Sequence, residues 1–203
     1  MGLEVNNEAI LVLSPSGGGK TTLLLDLIKN KSVKLISEDS PLIDARGQAL
    51  PFRIGVSYQA KPKDIAQKNL HLIQRIGTGL KYVINIDFFK DKISQKPLPV
   101  RHILCGVRCL RANSDIQPVS KYNAFKKLIE NSVVGVRLYQ GAEFLIQMGI
   151  GGLFFKSPVL FSRLRNVTKV LLGAKTYSFT MGCDRKKNAE TFLNFCQNIV
   201  NSG

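Results

Sequence analysis

The feature that most restricts the fold is Ala9-Ile10-Leu11-Val12-Leu13, running into Ser14-Pro15-Ser16-Gly17-Gly18-Gly19-Lys20-Thr21-Thr22 and then Leu23-Leu24-Leu25-Asp26-Leu27-Ile28. An unbroken apolar run of that length fits a strand covered on both faces. The stretch TTLLLDLIKN carries helix-forming residues and no breaker, so it reads as a helix entered from the loop. Between strand and helix the chain must turn sharply while backbone N–H groups point into one cavity, and glycine accepts the angles this needs. The helix N-terminus adds unpaired amides and a partial positive charge of roughly half a unit. Together these elements predict a cradle for nucleotide phosphates, formed by Ser16, Gly17, Gly18, Gly19, Lys20, Thr21 and Thr22. Lys20 would reach the β- and γ-phosphates, and the Thr21 hydroxyl would coordinate Mg²⁺. The Walker A pattern G-x-x-x-x-G-K-[ST] has glycine where this chain has Ser14, and the glycine triplet with Pro15 is expected to redistribute that turn.

A second element sits downstream. Glu38-Asp39 lies 18 and 19 residues after Lys20, at the end of the short predicted strand KLIS. If the two strands pair in parallel, their ends lie side by side and the carboxylates face the phosphates. One can hold Mg²⁺ directly or through water, and the other can accept a proton from an incoming hydroxyl. The alternative is a solvated acidic turn before Pro41.

Elsewhere, EVNNEAILVL predicts a hairpin turning at Asn6-Asn7, and LIDARGQAL a second with Ala45-Arg46-Gly47 at its tip. Pro51 to Pro62 reads as irregular. A helix is expected from Lys63 to Arg75, with Leu70, Ile73 and Ile76 inward. KYVINIDF alternates as a half-buried strand, with Tyr82, Ile84, Ile86 and Phe88 on one side. RHILCGVRCL predicts another strand, and PVSKYNAFKKLIENS a helix capped by Ser120. Tyr139 to Leu172 has helical spacing interrupted at Gly149, Gly151, Gly152 and Ser157-Pro158. KTYSFTM predicts a late strand, and NAETFLNFCQNIV a closing amphipathic helix with Phe192, Cys196 and Ile199 on one side. Strands alternating with helices in a chain of 203 residues argue for a single α/β domain with a mixed sheet.

Bulk composition bounds the function. No apolar run reaches the roughly 18 residues of a membrane span, and MGLEVNNEAI lacks the features of a signal peptide, so the expected location is cytoplasmic. Asn6 stands where a myristoylation signal needs Ser or Thr. Cys105, Cys109, Cys183 and Cys196 are too few and scattered for a disulfide framework, and the first two read as buried thiols. His71 and His102 have no metal-like spacing to them, so no structural zinc is expected. The net charge of +15 is uneven, with +5 in residues 1–100 and +10 in 101–203. No acid falls between Glu143 and Asp184, while Lys156, Arg163, Arg165, Lys169 and Lys175 do. That surplus suits an anionic partner: nucleotide phosphates, an acidic protein or peptide, nucleic acid or an anionic membrane surface. No nucleic-acid motif accompanies the charge.

SPSGGGKTTLLLDLI, KLISEDSPLID and RGQALPF, in that order, resemble the catalytic domain of HPr kinase/phosphorylase and its shorter kinase-like relatives. The resemblance covers the chain to about residue 53 and thins afterwards. It implies a mixed-sheet P-loop domain flanked by helices, with the nucleotide fold shared with phosphoenolpyruvate carboxykinase. It also implies ATP- and Mg²⁺-dependent phosphorylation of a hydroxyl, usually a protein or peptide serine. By position, Gly17 to Thr22 would bind nucleotide, Thr21 and Asp39 would serve Mg²⁺, and Glu38 would stand where the family has its proton-accepting aspartate. Lys20, Glu38 and Asp39 are thus the expected catalytic residues. The family carries a further strand with a histidine ahead of the hairpin, which the sequence from Met1 onward does not contain. Lys81, Arg101, Arg108 and Arg111 are candidates to neutralise the transferring phosphoryl group.

Two other functions compete. A nucleotide-binding regulator without phosphoryl transfer is favoured by Ser14, by Glu38 and by the absent upstream histidine. An ATP-hydrolysing transporter subunit would need an L-S-G-G-Q signature and a later apolar run ending in Asp-Glu, and the sequence has neither. A homo-oligomer is compatible with every one of these readings.

Overall fold

Asn6 and Asn7 take positive φ angles of 51° and 60°, a region that asparagine tolerates better than most residues. They reverse β1 (Gly2–Val5) into β2 (Glu8–Leu13), as the first hairpin requires. The computed structural model describes residues 1–203 except 16, 40, 54, 59–60, 63–64, 76–78, 130–148 and 202–203, and for 75, 129, 149–157, 159–160 and 201 it describes the backbone alone. The protein is α/β, with a mixed sheet flanked by helices.

The main sheet runs β10 (Asp115–Pro118), β11 (Lys175–Met181), β9 (Leu98–Arg108), β2, β1 and β3 (Val33–Ser37). β9 lies parallel to both β2 and β11, whereas β1 and β10 are antiparallel to their neighbours. The expected contact between β2 and β3 is not made, because β1 is inserted between them and pairs antiparallel with both. Two antiparallel steps restore the direction, so β3 still ends at the same edge of the sheet as β2. The second hairpin, β4 (Leu42–Ile43) and β5 (Gln48–Leu50), turns through Gly47 at φ 80° and joins β9 through β5.

β2 is buried on both faces, as its apolar run requires. Ile10 and Val12 join one core cluster with Leu24, Leu27, Phe179 and Phe192. Ala9, Leu11 and Leu13 join the other, with Ile103, Ala124, Val167 and Val170. Helix α1 (Lys20–Leu27) and helix α4 (Arg185–Asn201) cover the first face. Helix α2 (Lys121–Ile129) and helix α3 (Gly149–Gly173) cover the second. Full burial of a leucine or phenylalanine side chain contributes about 1.5–3 kcal/mol, which makes these two layers the principal stabilising contacts. Phe192 and Cys196 of α4 are buried and Ile199 packs beside them, as expected.

Four expectations about individual elements are overturned. The helix expected from Lys63 to Arg75 is absent: Gln67–Asn69 form a 3₁₀ turn and Leu70–Arg75 form β7. There β7 pairs with β8 (Gly79–Ile84), whose first residue, Gly79, takes φ 74°. Cross-strand pairing outweighs local helix propensity there, since β-strand formation depends on context. Leu70 is inward and Ile73 half-buried; Lys63 and Ile76 lie outside the described residues. The strand expected through Phe88 stops at Ile84, and Ile86–Lys92 turns into a 3₁₀ helix whose start is held by Asn85 Oδ1 accepting from the Asp87 amide at 3.1 Å. The stretch read as irregular contains β6 (Val56–Tyr58), which completes a three-stranded sheet in the order β6-β8-β7.

The fourth concerns α3, which continues through Gly151, Gly152 and Ser157-Pro158 without interruption. Proline removes a helix hydrogen bond and crowds the preceding turn, yet the helix runs on to Gly173, with Val167 and Val170 buried in the core. Tyr139 to Met148 lie outside the described residues. Helix α2 begins directly after Ser120, whose carbonyl accepts from the Asn123 and Ala124 amides. No helix among the described residues is long and apolar enough to cross a membrane.

Candidate functional site

The parallel strands direct the site. β2 ends at Leu13, β3 at Ser37, β9 at Arg108 and β11 at Met181, all on one edge of the sheet. The ends of parallel strands are where α/β sheets bind ligands, because chain directions diverge there and leave a crevice.

After Leu13 the chain turns through Gly17 at φ 77° and Gly19 at φ 90°, both left-handed. Gly19 is the N-cap of α1 and supplies no side chain to the helix amides, so they are available to a ligand. The Gly18 amide donates to the Pro15 carbonyl at 3.0 Å. Lys20 Nζ donates to the Ser14 carbonyl at 2.6 Å and the Pro15 carbonyl at 3.0 Å, so the lysine is folded along its own loop. Burial holds its pKa below the ordinary lysine value, with Asp39 and Glu38 acting in the opposite direction. Ser16 lies outside the described residues.

Thr21 Oγ1 donates to Glu38 Oε1 at 2.5 Å, bridging the first turn of α1 to the end of β3. Glu38 is half-buried and Asp39 exposed. Burial is the largest influence on Glu38 and raises its pKa; Asp39 adds to the rise, while the Thr21 hydrogen bond and Lys20 oppose it. The acidic pair therefore reaches the glycine loop although its strand is not the neighbour of β2.

The glycine loop, Lys20, Thr21, Thr22, Glu38 and Asp39 line one pocket of about 420 Å³. Of the four cations considered, Lys81 from β8 and Arg108 from β9 line it, and Arg108 Nη1 donates to the Gly17 carbonyl at 3.4 Å. Arg101 is paired instead with Glu8 at 3.8 Å. Arg111 is not a lining residue; its carbonyl accepts from the Cys183 amide at 2.8 Å.

Sequence reading missed two walls of this pocket. Ser57 and Tyr58 were hidden because their strand was read as irregular. Gly182, Cys183, Arg185 and Asn188 follow β11. A signal for them was present in GCDRKKN, where Asp184 caps α4 through its Oδ1, accepting from the Lys186 and Lys187 amides at 2.9 and 3.3 Å. A glycine just after a strand and just before a capped helix marks a second tight strand-to-helix turn. Gly182 closes that turn, exchanging hydrogen bonds with the Asn188 side chain at 2.9 and 3.0 Å.

The donor set suits a hard cation: one hydroxyl and two carboxylates supply oxygen only. Among the described residues no group of three or more His, Cys, Asp or Glu side chains is placed to hold a metal. Of the thiols, Cys105 and Cys196 are buried, whereas Cys109 is only half-buried, a correction to its reading as a core residue. Cys109 follows the last residue of β9, and its amide donates to the Met181 carbonyl at 2.9 Å. His102 is buried against Tyr177 and Phe195 and stands 3.5 Å from Glu8, while His71 is exposed. No protein-family model, no curated protein and no solved structure matches this chain.

Proposed function

We propose that the chain is an ATP- and Mg²⁺-dependent phosphotransferase that phosphorylates a hydroxyl, with a serine of an acidic protein or peptide as the acceptor class. The observation that carries this reading is the convergence of the Gly17–Thr22 cradle with Glu38 and Asp39 in one pocket, tied by the Thr21–Glu38 hydrogen bond. A phosphate loop alone is compatible with many activities. A carboxylate pair beside it adds what transfer to a hydroxyl requires, namely a place for the metal and a place for the acceptor's proton.

In this reading the amides of the glycine loop and of the α1 N-terminus receive the phosphates. Lys20 leaves the Ser14 and Pro15 carbonyls to meet them, and Lys81 and Arg108 offset negative charge from the pocket wall. Mg²⁺, when bound, supplies charge neutralisation and alignment of the phosphates, with Thr21 and an acidic side chain as its protein ligands. The resemblance assigns that place to Asp39 and the proton-accepting role to Glu38. The contact between Thr21 and Glu38 favours the reverse division, with Glu38 at the metal and exposed Asp39 accepting the proton. The HPr kinase-like nucleotide fold and the cytoplasmic location are part of the same proposal.

A nucleotide-binding regulator is the second reading. It is favoured by the lysine and threonine being engaged with the protein's own carbonyls and carboxylate. Calorimetric titration with ATP and Mg²⁺, followed by a γ-phosphate release assay on the same sample, separates the two. Binding with turnover that is lost in Glu38→Gln or Asp39→Asn supports transfer, and whichever variant still binds Mg²⁺–ATP normally identifies the proton acceptor. Binding without turnover supports the regulator. ATP affinity that survives Lys20→Ala combined with Thr21→Ala rules out the phosphate cradle itself.

A further inference from the structure

The parallel strands β9 and β11 end side by side, and each runs at once into a turn that carries a cysteine. Their last register pair is Arg108 with Met181. Cys109 comes next on one strand, with its amide on the Met181 carbonyl at 2.9 Å. Gly182 and Cys183 come next on the other, and the Cys183 amide donates to the Arg111 carbonyl at 2.8 Å. The thiols lie within the same turn. Cys183 Sγ donates to the Cys109 carbonyl at 3.7 Å, and Cys109 Sγ donates to the Arg111 carbonyl at 3.9 Å. Neighbouring strands lie about 4.8 Å apart and advance about 3.3 Å per residue, so Cα atoms one step out of register are roughly 6 Å apart. A disulfide spans about 4.4–6.8 Å between Cα atoms.

The main chain holds this spacing. The Asn188 side chain clamps Gly182 at 2.9 and 3.0 Å, and a carbon added to Gly182 would meet the carbonyl oxygens of Arg111, Ala112 and Asn113 at 2.6 to 2.8 Å. The four thiols also divide by access. Cys105 and Cys196 are buried, and burial raises the pKa of both, that of Cys196 to about 12. Thiols so placed stay protonated and out of reach. Cys183 is exposed and lines the glycine-loop pocket, and Cys109 is half-buried beside it.

We infer that Cys109 and Cys183 are a reversible dithiol–disulfide pair, in which Cys183 meets the oxidant and Cys109 resolves the product. The oxidant is a low-molecular-weight disulfide such as oxidised glutathione. The Cys183 thiolate attacks one of its sulfurs, forming a mixed disulfide and expelling one glutathione thiol. Cys109 then releases its proton, attacks the Cys183 sulfur and expels the second glutathione. Two protein thiols are oxidised to one disulfide while one glutathione disulfide is reduced to two thiols. Because Cys183 lines the pocket, the state of the pair decides whether that wall carries a free thiol or a cross-link between the ends of β9 and β11. The inference stands apart from the phosphotransferase reading, since neither thiol has a part in that chemistry.

The test incubates the full chain with oxidised glutathione, blocks the remaining thiols with iodoacetamide and maps disulfides by non-reducing peptide mass spectrometry. The expected product is one intramolecular bond between Cys109 and Cys183, with two of the four thiols lost and both recovered on adding dithiothreitol. In Cys109→Ser the mixed disulfide should persist on Cys183. In Cys183→Ser the loss of thiol should be slowed, because the exposed attacking group is gone. Circular dichroism melts establish that both variants are folded, and the wild-type map stands without them. Four results overturn the inference: no loss of thiol, a mixed disulfide that persists in the wild type, a bond between two chains, or pairing that involves Cys105 or Cys196.

Discussion

The hydroxyl of Ser14 occupies the space that a side-chain carbon on Gly18 would need, and the Pro15 carbonyl oxygen would lie 2.9 Å from the same carbon. Serine at the first position of the phosphate-loop pattern is therefore accommodated by the absence of a side chain at the fifth. Gly106 on β9 leaves room on the other side, where an added carbon would approach Ser14 Cβ to 3.0 Å.

Gly18→Ala is accordingly expected to destabilise the fold by about 1–3 kcal/mol, the cost of overpacking a filled site, and to weaken ATP binding. Denaturant unfolding and ATP titration measure the two effects. Adding Ser14→Gly should recover only part of the stability, because the Pro15 carbonyl remains. Full recovery would mean that the loop backbone is softer than its packing implies.

Ser14 Oγ is buried and has no hydrogen-bond partner among the described residues. An unsatisfied buried hydroxyl carries a desolvation cost of about 1–3 kcal/mol, so Ser14→Ala should leave stability unchanged or raise it. A clear loss on thermal unfolding would show that the hydroxyl is satisfied in solution.

Glu38 sets a pH dependence. Its folded pKa is raised above the ordinary value of 4.5, chiefly by burial. The folded state then holds a proton that the unfolded state has released, so stability falls as pH rises from 4.5 through the raised value and stays at the lower level above it. Glu38→Gln has no such titration and should gain stability relative to wild type as pH increases toward neutrality. Unfolding curves at a series of pH values give the comparison, and parallel profiles would refute it.

His102 acts with the opposite slope. Burial lowers its pKa below 6.5, with Glu8 opposing. Between that lowered value and 6.5 the unfolded chain binds the proton and the folded chain does not, so stability is present above 6.5 and is lost as pH falls. His102→Phe retains an aromatic ring between Tyr177 and Phe195 and should remove this part of the acid sensitivity. Melting temperatures across the window report it; an unchanged slope would mean that His102 titrates normally.

Gly182→Ala and Gly106→Ala should differ. A carbon on Gly182 would meet three backbone carbonyl oxygens, of Arg111, Ala112 and Asn113, at 2.6 to 2.8 Å. The nearest atom at Gly106 is the flexible Met181 methyl at 2.9 Å. Backbone cannot step aside as a methionine end can, so Gly182→Ala should lower the melting temperature more and disturb the wall of the glycine-loop pocket as well.

The local elements were legible in the sequence wherever one residue type decided the outcome. Asn6-Asn7 specified a hairpin, the run from Ala9 to Leu13 a strand buried twice, and the glycine loop a turn into α1. Gly47 specified the second hairpin, and Phe192, Cys196 and Ile199 the inward face of α4. Each rests on backbone angles or side-chain spacing within about ten residues, which the chain carries with it. Leu70–Arg75 has no such local determinant. It becomes a strand because β8 offers an edge, and the same pairing converts Val56–Tyr58 from apparent loop into the strand that brings Ser57 and Tyr58 to the pocket. The site divides in the same way. Lys20 and Thr21 follow from loop spacing alone, and Glu38-Asp39 from a strand end. Only the tertiary structure decided that β1 separates the two strands, and that Lys81 and Arg108 reach the pocket while Arg101 and Arg111 do not. Strand order depends on which nonlocal edges pair most favourably, a property of the assembled sheet and not of any one segment.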